Sequence, residues 1–191
     1  MPVDKKQIIG FDLDGVIIDH SFLKCSLSAQ FNIILKPEQT ASIIFNRVVP
    51  PDILKKVSHS IYNDLEISLR ASLMPGAAEG LARVKASGLP FFLISRRSDG
   101  LLALKLLKKL NLFPEIFNND NTFFVATDEE KDVEARKLGI THYIDDKISV
   151  LDKLASVENK FLFDQFNIFP DAQYDRASSW QELLNFFNDF L

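Results

Sequence analysis

From Met74 onward the chain alternates short apolar runs with amphipathic stretches, and this alternation restricts the fold more than any other feature of its 191 residues. Apolar runs at 7–12, 90–95, 122–126, 141–144 and 160–164 have the length of strands and are bounded by turn-forming residues. Helical patterns fall between them at 76–87, 99–110, 129–138 and 149–156, with a closing helix near 179–191. Strands that are apolar along their whole length must be buried on both faces. Their alternation with helices therefore predicts an α/β fold with a parallel sheet covered on both sides, whose ligands bind beyond the carboxyl ends of the strands.

The stretch 20–73 interrupts this pattern. It carries three helical patterns, at 21–31, 37–48 and 51–73, divided by Lys36-Pro37 and Pro50-Pro51, and no run that reads as a strand. The expectation is a core formed by 1–19 and 74–191, with a helical segment, 20–73, inserted between the first and second strands. In the closing helix Ser179 precedes Glu182 by three residues, the spacing of a capping box, and Trp180, Leu183, Leu184, Phe187 and Leu191 form an apolar stripe for packing. The 17 phenylalanines are spread along the chain, as core residues are.

A net charge of −4 argues against a broad nucleic-acid-binding surface. No eighteen uncharged apolar residues run together, so no membrane span or secretion signal is expected. The one cysteine, Cys25, has no partner for a disulfide or a structural zinc site, which fits a reducing cytoplasm. His20, His59 and His142 have no metal-ligand spacing. His20 follows Asp19 and is placed to line a site near the end of the first strand, while His142 reads as a partly buried strand residue.

The strongest local signal is Ile8-Ile9-Gly10-Phe11-Asp12-Leu13-Asp14-Gly15-Val16. It puts two carboxylates where a buried strand should end, and residues two apart in an extended chain share a side. Carboxylates at the edge of a core are costly to leave uncompensated, and a divalent cation is one remedy. A turn followed by a helix N-cap is the other reading of this fragment, because Asp-Gly is common in turns.

The fragment resembles the first motif of the haloacid dehalogenase-like superfamily, an apolar strand followed by Asp-x-Asp-Gly and further apolar residues. The resemblance extends over 7–18 and 74–155 and implies a Rossmann-like core, with 20–73 as a helical cap. By it, Asp12 would attack phosphorus to form an aspartyl phosphate. Asp14 would protonate the leaving oxygen and later activate water. Ser95, ending Pro90-Phe91-Phe92-Leu93-Ile94, would match the second motif and hold phosphoryl oxygens. Lys131, in Asp128-Glu129-Glu130-Lys131-Asp132, would match the third and neutralise the nucleophile and the phosphoryl group, whereas Lys137 lies farther along the same helix and projects away. The acidic pair Asp145-Asp146 after Thr141-His142-Tyr143-Ile144 would match the fourth. Together with Asp12 and the main-chain carbonyl of Asp14, it would bind Mg²⁺.

Arg96, or its neighbour Arg97, follows Ser95 closely enough to reach a substrate phosphate or a second anionic group, with an ion pair on a helix face as an equal alternative. The resemblance thus implies a Mg²⁺-dependent phosphatase acting on a small phosphorylated substrate, with a phosphomutase or a catalytically silent binding member as the alternatives. A dehalogenase is disfavoured, because those members usually lack an acid at the position of Asp14. A receiver-like phosphoacceptor is disfavoured because its aspartate lies mid-chain.

Overall fold

The run that carries Asp12 has no polar face, so it is stable only in the middle of a covered sheet, and that is where it lies. In a computed structural model describing residues 7–97 and 99–187, strand β1 (Ile9–Phe11) is central in a six-stranded sheet. On one side of it lie β4 (Phe91–Ser95) and then β5 (Thr122–Phe124). On the other side lie β6 (His142–Asp145), β7 (Asn159–Phe163) and β8 (Asp175–Ala177), and every neighbouring pair is parallel. The chain moves outward from β1 to β5 and then returns to the far side of β1. This reversal opens a crevice beyond the carboxyl ends of β4, β1 and β6.

Residue alternation along the strands separates two apolar layers. Phe11, Leu93 and Phe163 pack with helices α5 (Ala77–Ala86), α6 (Gly100–Lys109) and α9 (Trp180–Phe186). Ile94, Tyr143 and Leu162 pack with α7 (Asp128–Leu138) and the short α8 (Ile148–Leu151). Trp180 ties the first layer together. Its ring stacks on Phe11 at 5.6 Å and its Nε1 donates to the Val16 carbonyl at 2.8 Å. A Cβ on Gly80 would collide with that ring, so α5 approaches α9 this closely only with glycine there.

The inserted segment contains α1 (Ser21–Ala29), a 3-10 turn (Pro37–Thr40), α2 (Ser42–Val48), α3 (Pro51–Asn63) and α4 (Leu65–Ser68). Leu23, Phe45, Val57 and Ile61 bury their side chains in a core continuous, through Ile17 and Met74, with the first layer of the sheet. Among the described residues no helix is long and apolar enough to cross a membrane.

Several sequence expectations need correction. The segment 20–73 is not free of strand, because Ser72–Leu73 (β3) pairs antiparallel with Ile18–Asp19 (β2) and closes the base of the insertion. Two-residue strands are too short to leave a period. The helix expected over 51–73 breaks at Asp64, whose Oδ1 accepts from Ile67 N at 3.0 Å and starts a separate helix. The helix expected over 37–48 starts as a 3-10 turn, and that over 149–156 stops at Leu151. Strand β8, reading Asp-Arg-Ala, has no β-branched or aromatic residue to mark it.

At the start of α9, Ser179 Oγ accepts from Glu182 N as expected of a capping residue. The Glu182 carboxylate, however, takes Ser178 N and Oγ instead of closing a box on Ser179. Trp180, Leu183, Leu184 and Phe187 are buried, while Leu191 lies outside the described residues.

Candidate functional site

The parallel register aligns Phe11 with Ile144, so Asp12 and Asp145 leave their strands side by side. Asp12 N also donates to the Ile144 carbonyl at 2.9 Å. Both carboxylates are buried, and between them lies the Lys131 ammonium, 2.7 Å from Asp12 Oδ1 and 2.8 Å from Asp145 Oδ2. Lys131 reaches them from the first turn of α7, since helical side chains lean toward the N-terminus of their helix. That turn is secured by Thr127 Oγ1, which accepts from Glu130 N, and by the Glu130 carboxylate, which accepts from Ala126 N. Lys137, one end farther along, is exposed and pairs with Glu134.

Burial raises the Asp12 carboxyl to about 6, against the charge of Lys131. Burial also opposes the charge on Lys131, but Asp12 and Asp145 outweigh it and hold the ammonium well above its ordinary range.

Asp146 turns back toward the loop after β1. Gly15, at φ +88, lies against it, and a Cβ there would come within 2.6 Å of Asp146 Cγ. Carboxylate oxygens of Asp12, Asp145 and Asp146 can be chosen within 4.8 Å of one another. The Asp14 carboxylate is not part of that group.

Burial raises Asp145 and Asp146 as well, and Lys131 opposes this at Asp145 while Lys147 opposes it at Asp146. Asp146 Oδ1 is buried and has no hydrogen-bond partner among the described residues. Two buried carboxylates, a third half-buried one with an unpartnered oxygen, and a set of donors made only of oxygen fit a hard divalent cation. Zinc would prefer nitrogen and sulfur ligands.

Asp14 has a different environment. Arg97 holds its carboxylate in a fork, Nε to Oδ2 at 2.8 Å and Nη2 to Oδ1 at 2.5 Å, and His20 Nε2 lies 2.6 Å from Oδ1. Burial favours the neutral acid, but the Arg97 charge and hydrogen bonds, with the His20 hydrogen bond, hold the Asp14 carboxyl well below the usual carboxylate range. The contact to an ionised Asp14 puts the His20 proton on Nε2, leaving Nδ1 bare, and Nδ1 is buried without a partner among the described residues. Burial lowers the basicity of His20 in turn. Tyr62, on α3, packs edge-on to His20 and lies under the Arg97 guanidinium.

Asp12, Asp14, Ser95, Arg96, Arg97 and Lys131 share one crevice of about 430 Å³. Buried Ser95 ends β4, two residues past the position level with Phe11. Of the two arginines the sequence offered, Arg97 is buried on Asp14, while Arg96 is half-exposed at the mouth, 3.2 Å from Asp128. The structure therefore brings Asp12, Asp14, Ser95, Arg96 and Lys131 to one crevice, with Asp145 against Lys131 and Asp146 within reach of Asp12. The fork of Arg97 and His20 on Asp14 was not foreseen. An arginine 83 positions away has no sequence period to reveal it, and the only available signal was its place just after a strand end.

Solved structures share this arrangement of elements at low sequence identity. A hydrolase of the haloacid dehalogenase family from Deinococcus radiodurans, solved with bound phosphate and sodium, aligns at TM-score 0.62 with 20% identity, over 96% of this chain and 95% of that one. The fold is that of the haloacid dehalogenase-like hydrolases.

A hydrolase of this superfamily from Ehrlichia chaffeensis aligns at TM-score 0.59 and 14% identity over 98% and 99% of the two chains. A Thermotoga maritima protein provisionally assigned as a β-phosphoglucomutase aligns at 0.62 and 16% over 97% and 100%. No family model matches the sequence, and no curated protein does. Because the haloacid dehalogenase-like fold carries both hydrolases and mutases, the reaction has to be argued from the residues.

Proposed function

We propose that this chain is a Mg²⁺-dependent phosphomonoesterase that passes the phosphoryl group through Asp12. The observation that carries this reading is Lys131, buried between Asp12 and Asp145 at the carboxyl edge of the sheet. A cation fixed there offsets the repulsion between an anionic nucleophile and an anionic phosphoryl group. Asp12, Asp145 and Asp146, with the main-chain oxygen of Asp14, would hold Mg²⁺, which when bound supplies further positive charge to the phosphoryl oxygens. Ser95 Oγ and Arg96 bind those oxygens from the other side of the crevice. An Asp12 oxygen then attacks phosphorus as the bond to the leaving oxygen breaks.

Asp14, held ionised by Arg97, is ready to take the proton of the water that cleaves the aspartyl phosphate. To donate a proton in the first step it must first gain one, which requires the fork to loosen. Aryl phosphates avoid that requirement, because an aryloxide departs without protonation.

On this reading residues 1–19 and 74–191 form the catalytic core and 20–73 a cap that closes over it, excluding water during phosphoryl transfer. Ser42 Oγ, at the start of α2, lies 3.4 Å from Asp146 Oδ2, so the insertion reaches the reacting edge. The single, unpaired cysteine suits a cytoplasmic setting. Phosphate release from p-nitrophenyl phosphate and a panel of phosphorylated metabolites is the test. Release that requires Mg²⁺ and stops on chelation is expected, whereas release that is indifferent to chelation, or absent with every ester, would refute the proposal.

A further inference from the structure

Two lysines face the large cavity beside the reacting edge, each outside ion-pair distance of a carboxylate among the described residues. Lys24 extends from α1 on the insertion, and Lys147 follows the acidic pair on the core. Both line a cavity of about 710 Å³ between insertion and core, and Lys147 also lines the smaller crevice that holds Asp12 and Lys131. Asp14, Ser58, Tyr62 and Arg96 border both spaces, so they are continuous.

Lys24 Nζ donates to the Thr40 carbonyl at 2.7 Å and lies over the Phe45 ring, contacts that fix the ammonium without an ion pair. Among the described residues neither Lys24 nor Lys147 comes within ion-pair distance of a carboxylate. Lys131, Arg96 and Arg97, which also lie at this edge, each bond at least one directly. Burial lowers the basicity of Lys24 and Asp146 opposes this, and Asp146 also supports the charge of Lys147. Like charges facing one cavity from both walls, with their ammonium groups only partly solvated, are best compensated by an anion between them.

We propose that Lys24 and Lys147 form a second anion subsite, and that the substrate is a phosphate monoester whose leaving group carries a further anionic group, a carboxylate or a second phosphate. This deepens the phosphatase reading and rests on it. With the reacting phosphoryl group at Asp12, the leaving group passes Lys147 and its distal anion meets Lys24. One ammonium comes from each side, so binding of such a substrate also draws the insertion onto the core.

Three two-carbon esters separate the chemistries: ethyl phosphate, phosphoglycolate and ethylene glycol bisphosphate. Their dissociation constants are measured by calorimetry with Mg²⁺ on an Asp12→Asn chain, which prevents turnover, and again with Lys24→Met or Lys147→Met added. Methionine keeps the apolar stem and removes the charge. At least one ester with a second anionic group is expected to bind about tenfold or more tighter than ethyl phosphate, in line with a charge-assisted hydrogen bond, and each lysine substitution should reduce that preference to about threefold or less. Preference for phosphoglycolate assigns a carboxylate, and preference for the bisphosphate a second phosphate.

Equal affinity for all three esters, or a preference that survives both substitutions, overturns the subsite. Should the single variants fail to fold, Lys24→Gln is expected to reduce the preference in the same way, and its failure to do so counts against the proposal. Phosphate release by the unsubstituted chain is followed in parallel. Selective binding without release from any ester would leave the subsite standing and contradict the phosphatase reading, so the two failures are distinct.

Discussion

The Lys131 ammonium faces two buried carboxylates at 2.7 and 2.8 Å, and removing it leaves both without their closest compensation. Breaking one side of a buried ion pair costs about 3 kcal/mol, so Lys131→Met should lose about that much stability in denaturant unfolding. Mg²⁺ should restore part of the loss, because it neutralises the same carboxylates. The Asp14 fork makes a prediction about pH. A carboxyl held below its ordinary 3.8 in the folded chain contributes stability that is complete above 3.8 and is lost as the pH falls through the folded value. The stability gap between the unsubstituted chain and Arg97→Met should therefore be widest near neutrality and narrow on acidification below 3.8. A gap independent of pH would deny Arg97 its hold on Asp14. Asp12 and Asp14 were legible as paired carboxylates at the end of an apolar strand, whereas Ser95, Lys131 and the acidic pair stood out only through resemblance to the motifs of the haloacid dehalogenase-like superfamily, since each alone reads as an ordinary strand-end or helix-start residue. Arg97 was legible only as one of two adjacent arginines, and the partner that distinguishes it from Arg96 lies on another strand end.

Elements place these residues through a few close approaches. Gly15 combines a left-handed backbone with contact to Asp146, so Gly15→Ala should destabilise the chain by about 1–3 kcal/mol and weaken Mg²⁺ binding, both measurable by calorimetry. Gly80→Ala acts far from the acidic residues, against Trp180, and should cost about 1–3 kcal/mol by overpacking while leaving Mg²⁺ affinity intact. Equal effects of the two on the metal would mean that Gly15 has no special relation to the site. The main strands and helices were readable because their apolar periods run for several turns or a full strand. The β2–β3 ribbon and β8 were not, since their pairing is decided by the chain around them: β3 is placed by closure of the insertion, and Asp-Arg-Ala is recruited as an edge by β7.

At the scale of the whole molecule, one central strand carries the nucleophile candidate, the reversal of strand order makes the crevice, and the insertion supplies its second wall. A ligand that binds only the folded chain raises its stability, by about 2.7 kcal/mol at a hundred times its dissociation constant, so saturating Mg²⁺ should raise the melting temperature and chelation reverse it. Replacing 20–73 by a short linker should spare turnover of a small aryl phosphate and reduce selectivity among larger esters, because the insertion contributes Lys24, Ser58 and Tyr62 but none of the strand-end residues. The central claim is that Asp12 carries the phosphoryl group. Mixing the chain with radiolabelled p-nitrophenyl phosphate and Mg²⁺, quenching in acid within the first turnover and mapping the labelled peptide tests this directly. The account predicts a hydroxylamine-sensitive label on the peptide containing Asp12, absent from Asp12→Asn. A label on another residue, or undiminished turnover by Asp12→Asn with deamidation excluded, would contradict it.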